Sequence, residues 1–201
     1  CYDYLTQYSG SLSYKQNNKQ VLLGFVFLKD NIRKEAYESI NRIKTSGVQV
    51  VMLTGDSYTT ANSIAKELKI IDSSTDIILT SEEFNKMTDE EVINKLNRIK
   101  VLCRSLPSDK LRFIKIAQMN DLVVGMTGDG INDAPALKKA DVGFAMGSGT
   151  EVAKETSDII ILDNNIKSIY SAILYGRTIF KNIRKFITFQ LSVNCCAVIL
   201  S

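Results

Sequence analysis

Two of the short apolar runs in this sequence end in the same tripeptide. Thr54-Gly55-Asp56 follows Val50-Val51-Met52-Leu53, and Thr127-Gly128-Asp129 follows Val123-Val124-Gly125-Met126. A third run, Phe25-Val26-Phe27-Leu28, leads to Asp30. Small residues let a backbone close in on a ligand, and a Thr hydroxyl or a loop N–H can donate to an anion. A carboxylate at a strand tip, with Asp133 four residues beyond Asp129, offers the hard oxygen ligands that Mg²⁺ takes. The same tripeptide also serves as an ordinary strand-to-helix turn with Asp as the N-cap. Two copies in one sheet shift the reading toward a shared phosphate and Mg²⁺ site. Lys110, after Pro107-Ser108-Asp109 at a helix start, reads by itself as a solvated surface charge. Six of the eleven glycines fall between Gly125 and Gly149, where the backbone must bend unusually or approach something closely. Gly147-Ser148-Gly149-Thr150 is not a Walker loop, because no Gly-Lys-Ser/Thr follows it.

The elements that must hold these residues alternate. The polar first twenty residues read as a hairpin or a frayed edge, and Val21–Leu28 as a buried strand. Arg33–Lys44 has helical spacing and is closed by Gly47. Strand 48–53, helix 57–68, a helix near 89–99 and strand 101–103 follow. Then come a helix opened by Pro107, strand 122–126, helix 134–139 and strands 142–146 and 159–162. Such alternation predicts an α/β domain with a mostly parallel sheet covered on both faces. In such sheets the ligand site lies beyond the carboxyl ends of the strands.

The chain has 201 residues, 45% hydrophobic and 23% charged, with two Pro and a net charge of +3. This composition rules out wholesale disorder. The last acid is Asp163, after which come Lys167, Arg177, Lys181, Arg184 and Lys185. A near-neutral body with a basic and then apolar tail lacks the basic face of a nucleic-acid binder. With no His there is no His/Cys zinc site and no Ser-His-Asp or Cys-His catalysis. The four Cys form no CxxC pair, no signal segment opens the chain, and the folded part reads as cytosolic.

From Asn165 to Ser201 one helical segment about 55 Å long is predicted. From Phe186 on it carries no charge, for about 24 Å, short of the roughly 30 Å of a bilayer core. It reads either as a helix packed on the sheet or as a membrane helix entered from the cytosol with its bases inside. The pattern stops without a cap or a closing charge, so the sequence reads as a fragment.

Met126-Thr127-Gly128-Asp129-Gly130-Ile131-Asn132-Asp133-Ala134-Pro135-Ala136-Leu137 closely resembles the P-type ATPases, ion pumps with a haloacid-dehalogenase-like phosphorylation domain. The likeness runs from about Leu22 to Ser201, through Thr54-Gly55-Asp56, Asp109-Lys110, Ala140–Gly147 and Val152–Asp158. The tail Phe189–Asn194 with Ala197-Val198-Ile199 resembles the plasma-membrane-type calcium pumps most. The resemblance implies a Rossmann-like parallel sheet followed by a long stalk and transmembrane helix. Residues 1–20 would be a remnant of the nucleotide-domain edge or hinge, 21–164 the C-terminal portion of the phosphorylation domain, and 165–201 the stalk and the start of the fifth membrane helix.

It also implies roles. Asp129 would hold Mg²⁺ beside the phosphorylated aspartate, and Lys110 would neutralise charge on that aspartate and the transferring phosphoryl group. Thr54 and Asn132 would bond phosphoryl oxygens, Gly55 would let the loop close in, and Asp56 and Asp133 would order the loops and the metal's water shell. Asp30 and Arg33 match the hinge motif, where the family's arginine helps hold ATP, although Asn31-Ile32 replaces the usual Pro-Pro. Asn194 matches a Ca²⁺ ligand of the fifth membrane helix, and Ala197 stands where two-calcium pumps carry a glutamate, which implies one Ca²⁺ per cycle. The implied partners are the remaining domains and helices of the pump, the membrane and the transported cation. The folded part would face the cytosol.

The family's nucleophile lies in Asp-Lys-Thr-Gly-Thr, a string that does not occur among these residues. Alone, then, the chain is expected to be inactive. Three alternatives stay open: a soluble phosphatase of the same fold, a catalytically dead regulatory remnant, and a pump for another cation. Cys195 and Cys196 suggest a soft metal, but neighbours on a helix point about 100° apart.

Overall fold

The computed structural model describes residues 10–16, 19–26 and 32–200. Strands β1 (Gly10–Gln16) and β2 (Lys19–Val26) pair antiparallel along their whole length. The buried strand expected at Val21–Leu28 is therefore, as far as it is described, half of a hairpin and not a member of a parallel sheet. The expected boundary between residues 20 and 21 falls inside that hairpin.

The next elements are α1 (Lys34–Thr45), β3 (Met52–Leu53), α2 (Tyr58–Glu67), β4 (Ile77–Thr80), α3 (Ser81–Lys86) and α4 (Asp89–Lys95). They are followed by β5 (Ile99–Cys103), α5 (Pro107–Met119), β6 (Gly125–Gly128), a 3₁₀ turn (Ile131–Asp133) and α6 (Ala134–Lys139). The chain ends with β7 (Val142–Met146), α7 (Glu151–Thr156), β8 (Ile159–Ile161) and α8 (Ile166–Leu200). Two three-stranded parallel sheets result, in the orders β3-β5-β4 and β6-β7-β8.

Both sheets are covered on two faces, as the alternation of strand side chains requires. On β5, Leu102 joins a cluster with Phe84, Val92 and Phe113, while Val101 and Cys103 face Ile40, Ala61 and Ala65. On β7, Ala145 packs with Ile114, Leu137 and Ala153, and Phe144 turns the other way onto Ile161 and Ile169. Leu53 and Val124 touch a cluster on each sheet, so the two sheets share one interior.

Local chemistry sets the element ends. Ser57 accepts the Thr60 N–H at the start of α2, and Thr80–Glu83 and Thr88–Glu91 form reciprocal capping boxes on α3 and α4. Gly47, just past α1, has φ +80°. Strand β3 is shorter than the apolar run 48–53. Near its start the Gln49 side chain bonds the Leu96 and Ile99 carbonyls at 3.0 and 3.1 Å, replacing a backbone ladder there. Strand β6 begins three residues later than expected, because the Val124 N–H donates to the Asp141 carboxylate at 2.8 Å and Val123 is 84% exposed.

Helix α8 packs on the domain through its first three turns, where Ile169 is buried and Arg177 Nη1 donates to the Ser46 carbonyl at 2.6 Å. Its most apolar stretch is wholly unburied, so the reading of a helix packed along the sheet does not hold. It is the one helix among the described residues long and apolar enough to cross a membrane.

Candidate functional site

Thr54 leaves β3 with its N–H on the Leu102 carbonyl at 2.9 Å. Its hydroxyl donates to Asp56 Oδ2 at 2.8 Å and accepts the Asp56 N–H at 3.1 Å, so the turn closes on itself. The segment after β5 grips this turn. Ser105 N–H and Oγ both donate to the Thr54 carbonyl, at 2.9 and 3.0 Å, and Arg104 N–H donates to the Asp56 carbonyl at 2.9 Å. Asp56 does not cap α2; Ser57 does.

The same segment carries Lys110 to the second loop. Asp109 is buried, and its carboxylate accepts from Ser81 Oγ at 2.6 Å, the Leu106 N–H at 2.9 Å and Asn85 Nδ2 at 2.9 Å. Burial alone would raise this carboxyl, but those bonds and the charge of Arg112 hold it below the ordinary aspartate value. With α5 anchored in this way, Lys110 Nζ reaches Asp133 Oδ1 at 2.7 Å, both side chains being about 15% exposed or less. Lys110 is thus not the solvated surface charge that its position suggested. Asp133 also accepts the Gly130 N–H at 3.4 Å, closing the 3₁₀ turn.

Gly128 is pressed against Asp133, and a Cβ at that position would lie 2.5 Å from the Asp133 Cβ. Asp129 is different. Its backbone carbonyl accepts the Thr150 N–H at 2.8 Å, but among the described residues its half-buried carboxylate accepts no hydrogen bond. It caps no helix either. Asn132 is exposed beside it.

The β5–α5 connection and the first turn of α5 therefore join the two Thr-Gly-Asp loops, holding Thr54 through Ser105 and Asp133 through Lys110. Ser105, Gly149 and Thr150 were not singled out from the sequence as parts of this arrangement. Their signals were weak: a serine just past a strand, and the glycine pair Gly147/Gly149. Other expected site residues lie apart. Asp30 falls outside the described residues. Arg33, at the start of α1, donates to the Asn164 carbonyl at 3.1 Å, at the root of α8. Asn194 is on the order of 40 Å along α8 from that root, is exposed, and accepts from Gln190 Nε2 at 3.3 Å. Cys195 and Cys196 are free and exposed.

Among the described residues no three His, Cys, Asp or Glu converge as a ready-made metal cage. One uncommitted carboxylate beside a lysine–aspartate pair suits a different kind of cation site. Mg²⁺ is commonly held by one or two carboxylates, with waters and substrate phosphates completing its shell.

A family model described as haloacid dehalogenase-like hydrolase matches residues 7–141. The chain belongs to that family. Within it, the resemblance to the P-type ATPases holds. The chain is 45% identical over 185 residues to the plasma-membrane-type calcium-transporting ATPase 12 of Arabidopsis thaliana, covering 90% of this chain and 18% of that protein. It is 44% identical to a calcium-transporting ATPase of Listeria monocytogenes, covering 89% of this chain and 20% of that one. Among solved structures, a zinc-transporting PIB-type ATPase in its E2.Pi state superposes with a TM-score of 0.63 at 32% identity, covering 84% of this chain and 23% of that chain. This haloacid dehalogenase-like chain thus spans about a fifth of the length of the calcium-transporting ATPases it matches.

Proposed function

We propose that the chain is the Mg²⁺- and phosphoryl-binding part of the phosphorylation domain of an ATP-driven calcium pump, together with its stalk and the start of a membrane helix. The division of labour among the aspartates is the observation that carries this reading. Asp56 is tied to Thr54 and Asp133 to Lys110, which leaves Asp129 free to ligate.

Asp129 would hold Mg²⁺, which when bound supplies Lewis-acid neutralisation of phosphoryl oxygens. Lys110 brings positive charge to the same place, and its pairing with Asp133 fixes where that charge sits. Thr54, at the tip of the other loop, offers a hydroxyl and Gly55 an open approach; Asn132 offers an amide. Asp56 shapes the first turn. Phosphoryl transfer is catalysed mainly by such positioning and charge neutralisation, so this set suits it.

The acceptor aspartate would come from outside these residues. Strands β3 and β6 each have one partner among the described residues, and both lead into a Thr-Gly-Asp. A strand bearing Asp-Lys-Thr-Gly-Thr, supplied by another part of the pump, would pair with these edges and deliver its carboxylate between Thr54, Lys110 and Asp129. Asp30 and Arg33 would belong to the hinge that brings ATP to it.

Helix α8 would run from the cytosolic domain into the membrane, with Arg177, Lys181, Arg184 and Lys185 on the cytosolic side. Asn194 would then supply a hard amide oxygen to the cation, a chemistry that favours Ca²⁺ over a thiophilic metal. With Ala197 unable to coordinate, one Ca²⁺ would move per cycle. The test is ATP-dependent ⁴⁵Ca²⁺ uptake into vesicles carrying the complete protein. Uptake at one Ca²⁺ per ATP is expected. No uptake, or uptake of zinc instead, would overturn the calcium reading, and two Ca²⁺ per ATP would overturn the stoichiometry.

A further inference from the structure

Asn164 lies where three parts of the molecule meet. Its backbone is left-handed, with φ 50°, in the link between β8 and α8. Its side-chain Oδ1 accepts the Ser148 N–H at 2.9 Å, its carbonyl accepts the Arg33 guanidinium at 3.1 Å, and its own N–H donates to the Ile161 carbonyl at 3.3 Å. Beside it, Asp163 accepts the Asn165 N–H at 3.1 Å and the Ser168 hydroxyl at 2.7 Å, which fixes the first turn of α8.

Ser148 belongs to the segment 147–150, which lies against the back of the Asp129 loop. Thr150 N–H donates to the Asp129 carbonyl at 2.8 Å. Gly149 is there because nothing larger fits: a Cβ would lie 2.9 Å from both the Asp129 and the Met146 carbonyl oxygens. At Gly147 a Cβ would lie 3.0 Å from the Ile161 carbonyl oxygen. The backbone of Asp129 is thus joined to the root of α8 through a tight four-residue segment and one Asn side chain.

We propose that Asn164 is a positioning residue that couples the Asp129 loop to α8, so that displacing either one is felt at the other. The purpose of such a coupling rests on the pump reading, in which one end holds Mg²⁺ and the other enters the membrane. The coupling itself does not. Spatial continuity alone is not coupling, so the test must perturb one end and read the other.

Two substitutions separate the side chain from the backbone. Asn164→Gly accepts φ 50° without strain but removes the acceptor for Ser148. Asn164→Asp keeps an oxygen there. Amide hydrogen exchange is measured on the complete protein, with peptides covering 146–152 and 164–170. Asn164→Gly should leave the melting temperature unchanged while exchange in 147–150 accelerates about fivefold, the loss of one hydrogen bond. Asn164→Asp should exchange like the parent. Reciprocally, Gly149→Ala should accelerate exchange at 165–168. If Asn164 serves only as a left-handed hinge, Asn164→Gly will match the parent throughout, and the proposal fails. It also fails if each substitution changes only its own peptide. Should Gly149→Ala not fold, the Asn164 pair still decides. None of these readouts needs ATP turnover, so an inactive protein with the expected exchange pattern would count against the pump reading alone.

Discussion

The two Thr-Gly-Asp loops have the same three residues and opposite internal economies. In the first, Thr54 and Asp56 satisfy each other, and beyond its chain neighbours Gly55 has no atom among the described residues within 4 Å of where a Cβ would stand. In the second, Thr127 is exposed, Gly128 is wedged against Asp133, and Asp129 keeps its carboxylate uncommitted. A tripeptide therefore does not define a site. What distinguishes the two is the partner four residues further on: Asp133 takes Lys110 and crowds Gly128, which frees Asp129 from both duties.

That contrast can be broken most sharply at the glycines. Gly128→Ala should cost about 2–3 kcal/mol in chemical denaturation, since the Asp133 backbone or the Lys110 pair must shift to admit the methyl group. Gly55→Ala should change stability by less than about 0.5 kcal/mol. Comparable losses at the two positions would erase the distinction. Next comes the lysine–aspartate pair: Asp133→Ala should cost roughly 2 kcal/mol by leaving a mostly buried ammonium without its partner. Asp129→Ala should stay within about 0.5 kcal/mol of the parent, because no group among the described residues depends on its carboxylate. An Asp129→Ala variant as unstable as Asp133→Ala would mean that Asp129 is structural.

The smallest expected loss of stability concerns Asp109, which anchors α5 between the loops. Asp109 has its pKa held below the ordinary 3.8 in the folded protein, so its contribution to stability is complete above that value and is lost as pH falls through the lowered one. Asp109→Asn should thus be about 1 kcal/mol less stable than the parent near neutrality. The gap should close below about pH 4 in acid-unfolding curves.

Much of the fold was legible because its signals are local. Pro107 opened α5 as expected, and the limits of α6 and β7 match the apolar and glycine pattern. Strand β4 and helix α3 were missed. Ile77–Thr80 is only four residues long, yet the Thr80/Glu83 and Thr88/Glu91 spacings were capping signals that could have divided this stretch correctly. In the site, the residue types at Thr54 and Asp129 pointed to phosphoryl chemistry, whereas Lys110 entered only through the family resemblance. Their commitments to one another could not be read, because the Lys110–Asp133 pair spans 23 positions and two elements. The part played by Asn164 was equally hidden, since it rests on bonds to Arg33 and Ser148 from distant segments.

On the proposed function, Asp129 is free in the fold because it is needed for Mg²⁺. It is tested most directly by acid-stable phosphoenzyme formed from γ-³²P-ATP on the complete protein across a Mg²⁺ titration, comparing the parent with Asp129→Ala. A Mg²⁺-dependent phosphoenzyme is expected in the parent, with its loss in a variant that remains equally stable. A phosphoenzyme that forms to the same level, with the same Mg²⁺ dependence, in Asp129→Ala would contradict it.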